Sequence, residues 1–365
     1  MKAVLVEAPG QPVVLCDDVE IEEPRAGQVR VKVAHCGLCH SDLSIVDGVF
    51  PSAMPVVVGH EATGFVDALG PHVEGLAPGD PVLLTPCPPC GGCYWCVRGE
   101  ASLCVNGLGL VTNTFPDGST GLSRRGERVY RGLNVGAFAE YVVLPASGAV
   151  KIPADVPLDV ACVIGCAVQT GVGGVLNAAR VEEGASVLVI GLGGVGLSTV
   201  QGARVAGASR IIVSDPVAER REVARAFGAT DLLDPTQEDV MLRTREITDV
   251  GVDYAFEAAG RGSLIQTCVN ATRNGGTTVC LGAPPIEENL DLGPASMFLI
   301  AGKRVVGSVL GDSNALREFP RLVRLWQAGR LDLEGLVTAR RPIEEINQAL
   351  ADLRENRGVR TVLSI

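Results

Sequence analysis

The sequence has few aromatic residues, a shortage of basic charge and no long apolar segment. Only 4% of its 365 residues are Phe, Trp or Tyr, while Gly occurs 45 times. This composition suits strands of Val, Leu and Ile joined by tight turns. The 31 basic residues are outnumbered by 42 acidic ones, which gives a formal net charge of −11. An acidic surface repels phosphate backbones, so the charge argues against a nucleic-acid partner.

The missing apolar segment argues against a membrane protein. No apolar run approaches the roughly 20 residues of a membrane-spanning helix. The first seven residues, MKAVLVE, lack the long apolar core of a signal peptide. We therefore expect a cytoplasmic protein. In that compartment thiols stay reduced, and clustered cysteines indicate metal binding or catalysis before disulfides.

The chain is long enough for two domains, and its pattern changes near residue 171. Before that point, turns rich in Gly and Pro separate short predicted strands at 2–6, 28–34, 62–68 and 81–84. After it, predicted strands and helices alternate at 186–190, 194–206, 210–214, 217–227, 252–256 and 276–281. Two helical segments, 316–327 and 343–355, and a strand, 361–365, follow. This alternation predicts an α/β protein with a parallel sheet and helices on both faces. Residues 106–136 are polar and rich in turns, which is typical of a functional connection or an interface.

A glycine-rich loop follows the predicted strand 186–190. Gly191, Gly193 and Gly196 form the pattern G-x-G-x-x-G, with Gly194 and Val195 between them. In such a loop the first glycine allows a tight turn, the second lets the backbone approach a pyrophosphate, and the third permits close helix–strand packing. The alternative is a plain turn with a capping Asp. The strand before the loop and the helix after it favour a dinucleotide site.

Asp215 ends the next predicted strand, where an acid that binds the ribose is expected. A carboxylate accepts hydrogen bonds from the ribose 2′-hydroxyl and repels a 2′-phosphate, so Asp215 favours NAD over NADP. Arg220 lies five positions later, within reach of the same ribose, and slightly weakens that preference.

Of the twelve cysteines, five lie in the segment 87–104, which we name the four-cysteine lobe. Four thiolates close a tetrahedral zinc site and leave no position for water, so the metal contributes to folding. The candidate ligands are Cys90, Cys93, Cys96 and Cys104, with Cys87 as a fifth candidate. An iron–sulfur cluster and a redox dithiol are the alternatives. We favour structural zinc, because the sequence offers a site for a hydride carrier, the nicotinamide cofactor, instead of an electron-transfer chain that would use an iron–sulfur cluster.

Cys39, His60 and Cys166 are candidate ligands for a second metal. Two thiolates and one imidazole leave a fourth position for water or substrate, as in catalytic zinc sites. Each residue alone also has an ordinary explanation, since a lone Cys is usually a small buried hydrophobe and a lone His a satisfied polar group.

Together these motifs resemble the zinc-dependent alcohol dehydrogenases of the medium-chain dehydrogenase/reductase superfamily, essentially from end to end. The motifs are Gly37-Leu38-Cys39-His40-Ser41-Asp42, Gly59-His60-Glu61, the four-cysteine lobe, Gly165-Cys166, Gly191–Gly196, Phe256-Glu257-Ala258-Ala259-Gly260 and Val359-Arg360-Thr361. The resemblance implies a GroES-like catalytic domain at 1–167 and 310–365 and a Rossmann NAD-binding domain at 168–309, with the active-site cleft at their junction. The polar connection resembles the longer, typically dimeric forms, so a homodimer is expected.

The resemblance also implies roles for individual residues. Cys39, His60 and Cys166 would bind catalytic zinc, and the four lobe cysteines named above would bind structural zinc, which makes two zinc ions per chain. Asp42 would orient His60, Glu61 would sit behind the metal, and Ser41 would accept the hydroxyl proton. The residues expected to contact NAD outside the glycine loop are His40, Thr170, Asp215, Arg220, Gly282, Ala283 and Arg360.

The implied reaction is reversible hydride transfer between an alcohol and NAD, which yields an aldehyde or a ketone. In this chain Ser44 stands where many members carry a His that relays the proton, so Ser44 or water would complete the relay. Pro86 stands where many members place an aromatic pocket wall, and Ser41 is smaller than the Thr of other members. These changes favour a branched, cyclic or aryl alcohol.

Two alternative functions remain. A thiol-dependent formaldehyde dehydrogenase is one, although Leu108 stands near the position where the glutathione-dependent subgroup carries an Arg. The other is a non-catalytic zinc protein that senses NAD. The presence of Ser41 with all three candidate ligands argues against a sensor, because a sensor needs no open metal position.

Overall fold

The computed structural model describes residues 1–365 and divides them into two compact units. The first unit comprises Met1–Cys166, Asn314–Arg324 and Val337–Ile365, and the second comprises Ala167–Ser313 and Leu325–Leu336. The two ends of the chain therefore build one unit, and the middle builds the other.

Strands dominate the first half of the chain and recur regularly in the second. They are β1 (Ala3–Val6), β2 (Val14–Cys16), β3 (Val19–Ile21), β4 (Gln28–Gly37), β5 (Val56–Val57), β6 (Glu61–Leu69), β7 (Pro81–Leu84), β8 (Leu122–Arg124), β9 (Glu127–Arg131), β10 (Tyr141–Pro145), β11 (Ala149–Lys151), β12 (Ser186–Ile190), β13 (Arg210–Ser214), β14 (Asp231–Leu233), β15 (Val252–Glu257), β16 (Thr272–Cys280), β17 (Arg304–Gly307), β18 (Val337–Pro342) and β19 (Arg360–Ser364).

The helices lie mainly in the second half. They are α1 (His40–Val46), α2 (Tyr94–Val97), α3 (Gly109–Thr112), α4 (Leu158–Ala161), α5 (Ala167–Gly173), α6 (Gly194–Ala206), α7 (Ala218–Phe227), α8 (Val240–Thr248), α9 (Gly262–Ala271), α10 (Ala295–Ala301), α11 (Ala315–Gln327) and α12 (Ile346–Arg354). None of them is by itself long and apolar enough to cross a bilayer. Only the bent pair Leu158–Gly165 and Ala167–Ala179 meets those criteria, when its two halves are taken together.

The first unit is built on two sheets that share an aliphatic core. One sheet has the order β2-β1-β5-β9-β8-β3, and the other has the order β11-β7-β6-β4-β19-β18, with β10 also paired to β4. Along the first half of β4, buried Val29, Val31 and Val33 alternate with more exposed residues, so one face packs into the core. At its end, Gly37 pairs with Glu61 at the start of β6. This pairing brings the residues after β4 close to His60.

The second unit is a parallel sheet with the order β14-β13-β12-β15-β16-β17. This order is that of a doubly wound Rossmann sheet, in which ligands bind at the carboxyl ends of the central strands. The central strand β12 is almost fully buried, as its unbroken run Val187-Leu188-Val189-Ile190 predicts. The predicted α/β class, with a β-rich first unit and a Rossmann sheet, is confirmed.

Two details of the structure differ from the sequence-based expectation. The connection 106–136 contains a hairpin, β8 and β9, whose short polar strands give no clear alternation of apolar and polar residues. Strand β16 also begins at Thr272, four residues before the expected start at Gly276. Glycines at 275 and 276 interrupt the strand pattern in the sequence but not the strand itself.

Candidate active site and metal centres

One cluster in the first unit brings together Cys39, His60, Glu61 and Cys166, and we name it the Cys–His cluster. One ligand atom from each residue lies within 4.8 Å of the others. Cys39 immediately precedes α1, His60 precedes β6, and Cys166 ends the first unit's long N-terminal segment. Two sulfurs and one imidazole nitrogen are donors that zinc prefers, so the set fits a zinc ion.

Asp42 holds two of these residues in place. Its Oδ2 accepts a hydrogen bond from the Cys39 backbone N–H at 3.0 Å, and its Oδ1 accepts one from the Gly59 N–H at 2.8 Å. The same Oδ1 lies 3.1 Å from His60 Nδ1. Burial alone lowers the pKa of His60, but the Asp42 carboxylate outweighs it, and the pKa lies well above its ordinary value. Hydrogen bonding to Nδ1 leaves the Nε2 atom of the ring for a metal.

Buried charges surround the cluster. A hydrogen bond from Cys166, with the Arg360 guanidinium acting in the same direction, holds the pKa of the Cys39 thiol well below its ordinary value. Burial raises the pKa of Glu61 to about 7, although Arg360 opposes that shift. Arg360 places Nη2 3.3 Å from Glu61 Oε1 and donates from Nη1 to the Leu38 carbonyl at 2.7 Å. Positive charge beside the Cys39 sulfur favours the thiolate form that binds metal, whereas the hydrogen bond to Cys39 and burial raise the pKa of the Cys166 thiol.

Ser41 and His40 lie in the first turn of α1, next to Cys39. The Ser41 Oγ is 3.9 Å from the Cys39 Sγ, so its hydroxyl stands beside the cluster without belonging to the ligand set. His40 is exposed.

The structure places Arg360 on β19, where Glu61 engages its guanidinium, and Thr170 on α5, where it is buried. Their predicted contacts with the cofactor stay predictions.

A second cluster gathers Cys90, Cys93, Cys96 and Cys104, with all four sulfurs within 4.8 Å of one another. Backbone N–H groups point at these sulfurs: Cys90 N is 3.2 Å from Cys104 Sγ, and Cys93 N is 3.3 Å from Cys90 Sγ. Backbone N–H groups of Cys96 and Val105 lower the pKa of Cys93 to about 6. Four sulfurs with such donors fit a closed tetrahedral zinc site.

Cys87 lies outside this second cluster. Its Sγ donates to the carbonyls of Ser102 at 3.4 Å and Ala101 at 3.7 Å, and burial raises its pKa to about 11. Its sulfur is not among the four that lie within 4.8 Å of one another. The structure therefore gives the fifth cysteine of the lobe a separate, structural position.

The glycine loop of the second unit runs from the end of β12 into α6. Gly191 has φ +89°, and a Cβ on Gly196 would stand 1.7 Å from the Gly191 carbonyl oxygen, so neither position accepts a side chain. A Cβ on Gly193 would meet no atom within 4 Å. The space over Gly193, at the N-terminus of α6, is where a pyrophosphate fits; Gly194 and Val195 begin that helix.

Asp215 ties this loop to the next turn. Its Oδ2 accepts from Leu192 N at 2.7 Å, and its Oδ1 accepts from Val217 N at 2.9 Å. Each carboxylate oxygen has a second lone pair, so ribose hydroxyls can still be accepted. Arg220 is buried on α7. Arg221, which the sequence did not single out, donates to the Asp215 carbonyl at 2.5 Å and to Asp234 at 2.9 Å.

Gly282 and Ala283 pack against another turn at the carboxyl end of the sheet. A Cβ on Gly282 would stand 2.1 Å from Gly260 N. Glu257, fully buried, organises this turn, since its Oε1 accepts from the N–H groups of Ala259 and Gly260 at 2.8 and 2.7 Å. Sequence reasoning noted Glu257 only as part of a motif and gave it no role.

Comparison with known families and structures agrees with this architecture. Residues 25–154 match the alcohol dehydrogenase GroES-like domain, and residues 194–327 match the zinc-binding dehydrogenase family. An alcohol dehydrogenase zinc-binding domain protein from Burkholderia ambifaria is 36% identical over 100% of this chain and 98% of its own, with a TM-score of 0.94. Benzyl alcohol dehydrogenase from Acinetobacter calcoaceticus is 32% identical over 100% of this chain and 99% of its own, also with a TM-score of 0.94.

A further similar structure carries a cofactor. It is a zinc-binding dehydrogenase target from Sinorhizobium meliloti 1021 bound to NADP, with 28% identity, 100% of this chain and 99% of its own covered, and a TM-score of 0.80. Fold, sites and comparisons thus define a zinc-binding dehydrogenase that uses a nicotinamide cofactor. The chain belongs to the zinc-dependent alcohol dehydrogenases of the medium-chain dehydrogenase/reductase superfamily, which are oxidoreductases acting on small molecules.

Proposed function

We propose that the chain oxidises primary or secondary alcohols, including bulky, cyclic and aryl ones, to aldehydes or ketones with NAD. The observation that carries this proposal is the Cys–His cluster, in which two sulfurs, one imidazole and a neighbouring Ser41 hydroxyl meet. With the Glu61 carboxylate engaged by Arg360, the two sulfurs and the imidazole leave a place for a substrate oxygen, whereas a purely structural site is closed by four donors.

Two zinc ions per chain are part of the proposal. The first would be held by Cys39, His60 and Cys166, with Glu61 behind it, and the second by the four cysteines that cluster in the lobe. When bound, the first zinc supplies a Lewis acid that favours loss of the substrate hydroxyl proton, and NAD supplies a hydride acceptor.

The chain's own residues transfer the substrate proton and orient the zinc ligands. Ser41 Oγ accepts the hydroxyl proton, and Ser44 or water passes it toward solvent. Asp42 keeps the His60 ring oriented through its contact with Nδ1. Arg360 and Glu61, held 3.3 Å apart, keep opposite charges balanced beside the cluster.

NAD is proposed over NADP because of Asp215. Asp215 immediately follows β13, and its carboxylate repels a 2′-phosphate, although the similar Sinorhizobium structure holds NADP. The glycine loop would bind the pyrophosphate, and the backbone around Gly282 and Ala283 would hold the carboxamide. Rates with NAD and NADP at equal concentration test the preference directly, and a faster reaction with NADP would contradict it.

Bulky substrates are proposed because Pro86 offers less volume than an aromatic pocket wall and Ser41 less than a Thr. Similarity to a benzyl alcohol dehydrogenase supports the aryl class. A panel of aliphatic, cyclic and aryl alcohols, followed by NADH absorbance, tests this proposal. Turnover of short linear alcohols alone would contradict the substrate class.

The metal assignment has its own experiment. We expect about two zinc per chain by elemental analysis and loss of turnover when Cys39 and His60 are both replaced by Ala. Undiminished turnover of that zinc-loaded double variant would refute the mechanism. Activity that requires added glutathione would favour the thiol-dependent formaldehyde dehydrogenase instead.

We also propose a homodimer that works in the reducing cytoplasm. Strand β17 forms one edge of the parallel sheet, and α10 exposes Met297, Leu299 and Ile300. An open strand edge with apolar side chains nearby is typical of a subunit interface. The twelve free cysteines support a reducing compartment, because oxidation would consume the proposed zinc ligands.

A further inference from the structure

Asn134 joins three separate segments of the first unit through one buried side chain. It lies between β9 and β10 with a left-handed φ of 67° and is 5% exposed. Its Nδ2 donates to the Pro86 carbonyl at 2.8 Å and to the Asn106 carbonyl at 2.9 Å. Both amide hydrogens of Asn134 are therefore used, and each partner belongs to a different part of the chain.

The first partner, Asn106, follows the four-cysteine lobe and is connected to it. The Asn106 N–H points at Cys104 Sγ at 3.4 Å, and its Nδ2 donates to the Pro88 carbonyl at 3.0 Å. Asn106 therefore contacts both a proposed ligand of the structural zinc and the first residues of the lobe.

The second partner, Pro86, follows β7, the strand that pairs with β6 just after His60. Strand β7 pairs with β6 so that Leu83 faces Thr63, and Pro86 stands two residues after β7 ends at Leu84. The Leu84 carbonyl lies 2.9 Å, and the His60 carbonyl 3.6 Å, from the point where a Cβ on Gly165 would stand. Since Gly165 precedes Cys166, the end of β7, two residues before Pro86, lies next to the backbone at two proposed ligands of the catalytic zinc.

We propose that Asn134 is a positioning residue that fastens the Pro86 segment to the four-cysteine lobe, so that the lobe helps to set the shape of the alcohol pocket. This inference rests on the proposed function, in which Pro86 forms a wall of that pocket. The lobe then has a second role besides its own folding, because it holds the Pro86 wall of the pocket in place.

The same connection supplies a matched control, Asn113. Asn113 is also buried and left-handed, with φ 57°, but it uses its oxygen: Oδ1 accepts from Leu133 N at 3.0 Å. Asn113→Asp keeps that acceptor. Asn134→Asp instead turns two donated hydrogen bonds into repulsion between oxygens and removes a donor from the carbonyls of buried Pro86 and half-buried Asn106.

The experiment measures steady-state kinetics with a bulky alcohol and the rate of zinc transfer to a chromophoric chelator. For Asn134→Asp we expect the KM to rise about tenfold with less than about a twofold change in kcat, together with faster zinc release. Asn134→Gly, which suits the left-handed backbone, should show the same split if the Asp variant fails to fold. Asn113→Asp should match the wild type in both measurements.

Kinetics and zinc release of both Asn134 variants that equal those of Asn113→Asp would overturn the inference. Equal losses of kcat and kcat/KM would also overturn it, because they indicate damage to the reacting groups instead of the pocket wall. If the wild type oxidises no alcohol, the proposed function fails, and the zinc-release comparison alone decides whether Asn134 holds the lobe.

Discussion

At the scale of single residues, a few buried carboxylates organise the sites through their accepting oxygens. Asp42 accepts from two backbone N–H groups and contacts His60, and Glu257 and Asp215 do the same for two turns of the Rossmann sheet. A carboxylate has only acceptors, so its partners must all be donors. Exchanges that keep the shape but change donor and acceptor character are therefore the sharpest tests.

For Asp42 we expect the Asn exchange to weaken zinc binding at the Cys–His cluster about 10- to 100-fold. The amide retains one acceptor, so either the Cys39 N–H or the pair formed by the Gly59 N–H and His60 Nδ1 faces an NH₂ group. Competition with a zinc chelator measures the effect. Asp47→Asn is the control, because Asp47 pairs only with exposed Arg354. Unchanged affinity at the cluster would show that Asp42 does not orient His60.

Ser41 should behave differently, because its hydroxyl lies beside the cluster and not in its ligand set. Ser41→Ala is expected to lower kcat about 10²- to 10⁴-fold, the usual contribution of a proton-transfer group. Its zinc content should equal that of the wild type, and Ser41→Thr should restore turnover by restoring the hydroxyl. Loss of zinc from the Ala variant would contradict the assigned role.

At the scale of elements, the four-cysteine lobe has little secondary structure of its own. Its helix α2 is a single turn without any buried residue, and Tyr94 and Val97 are largely exposed. Such a short helix does not persist in water unless something holds it. The four converging sulfurs stabilise this segment when they bind one metal ion. The structure of the lobe therefore depends on the ion more than the structure of any strand of the first unit does.

This dependence predicts the outcome of Cys104→Ser. We expect the variant to lose one of two zinc ions and to become about tenfold more sensitive to protease within the lobe, because the segment opens locally. Cys87→Ser is the control, since its hydroxyl can still donate to Ala101 and Ser102. Elemental analysis and mapping of the cleavage sites distinguish the two. Equal zinc content and cleavage in both variants would contradict a metal at Cys104.

Elements also show what the sequence could predict. The bounds of β7, β12, β13 and α6 follow directly from their apolar runs and flanking turns. The side chains gathered in the two clusters, Glu61 included, are those that spacing and resemblance single out, because Cys and His are rare and their patterns carry chemistry. Asn134 has no such signal: an Asn in a polar connection indicates a turn, and only the fold reveals its buried partners.

At the scale of the whole molecule, the second unit leaves an apolar surface on α10 beside the open edge strand β17. Leu299 is 78% and Ile300 74% exposed, which is unusual for neighbouring aliphatic residues. Strand β17 pairs on one side only, with β16. A second copy of the chain that covers this surface would bury the exposed apolar side chains of α10 and cover the unpaired edge of β17.

The proposed dimer can be tested by replacing Leu299 and Ile300 together with Asp. Two buried charges without partners cost more than a typical interface tolerates, so the double variant should sediment as a monomer while the wild type sediments at twice the chain mass. Leu242→Asp is the control, because Leu242 is also exposed in the second unit but lies on α8. A wild-type monomer, or a double variant that stays dimeric at micromolar concentration, would contradict an interface at α10.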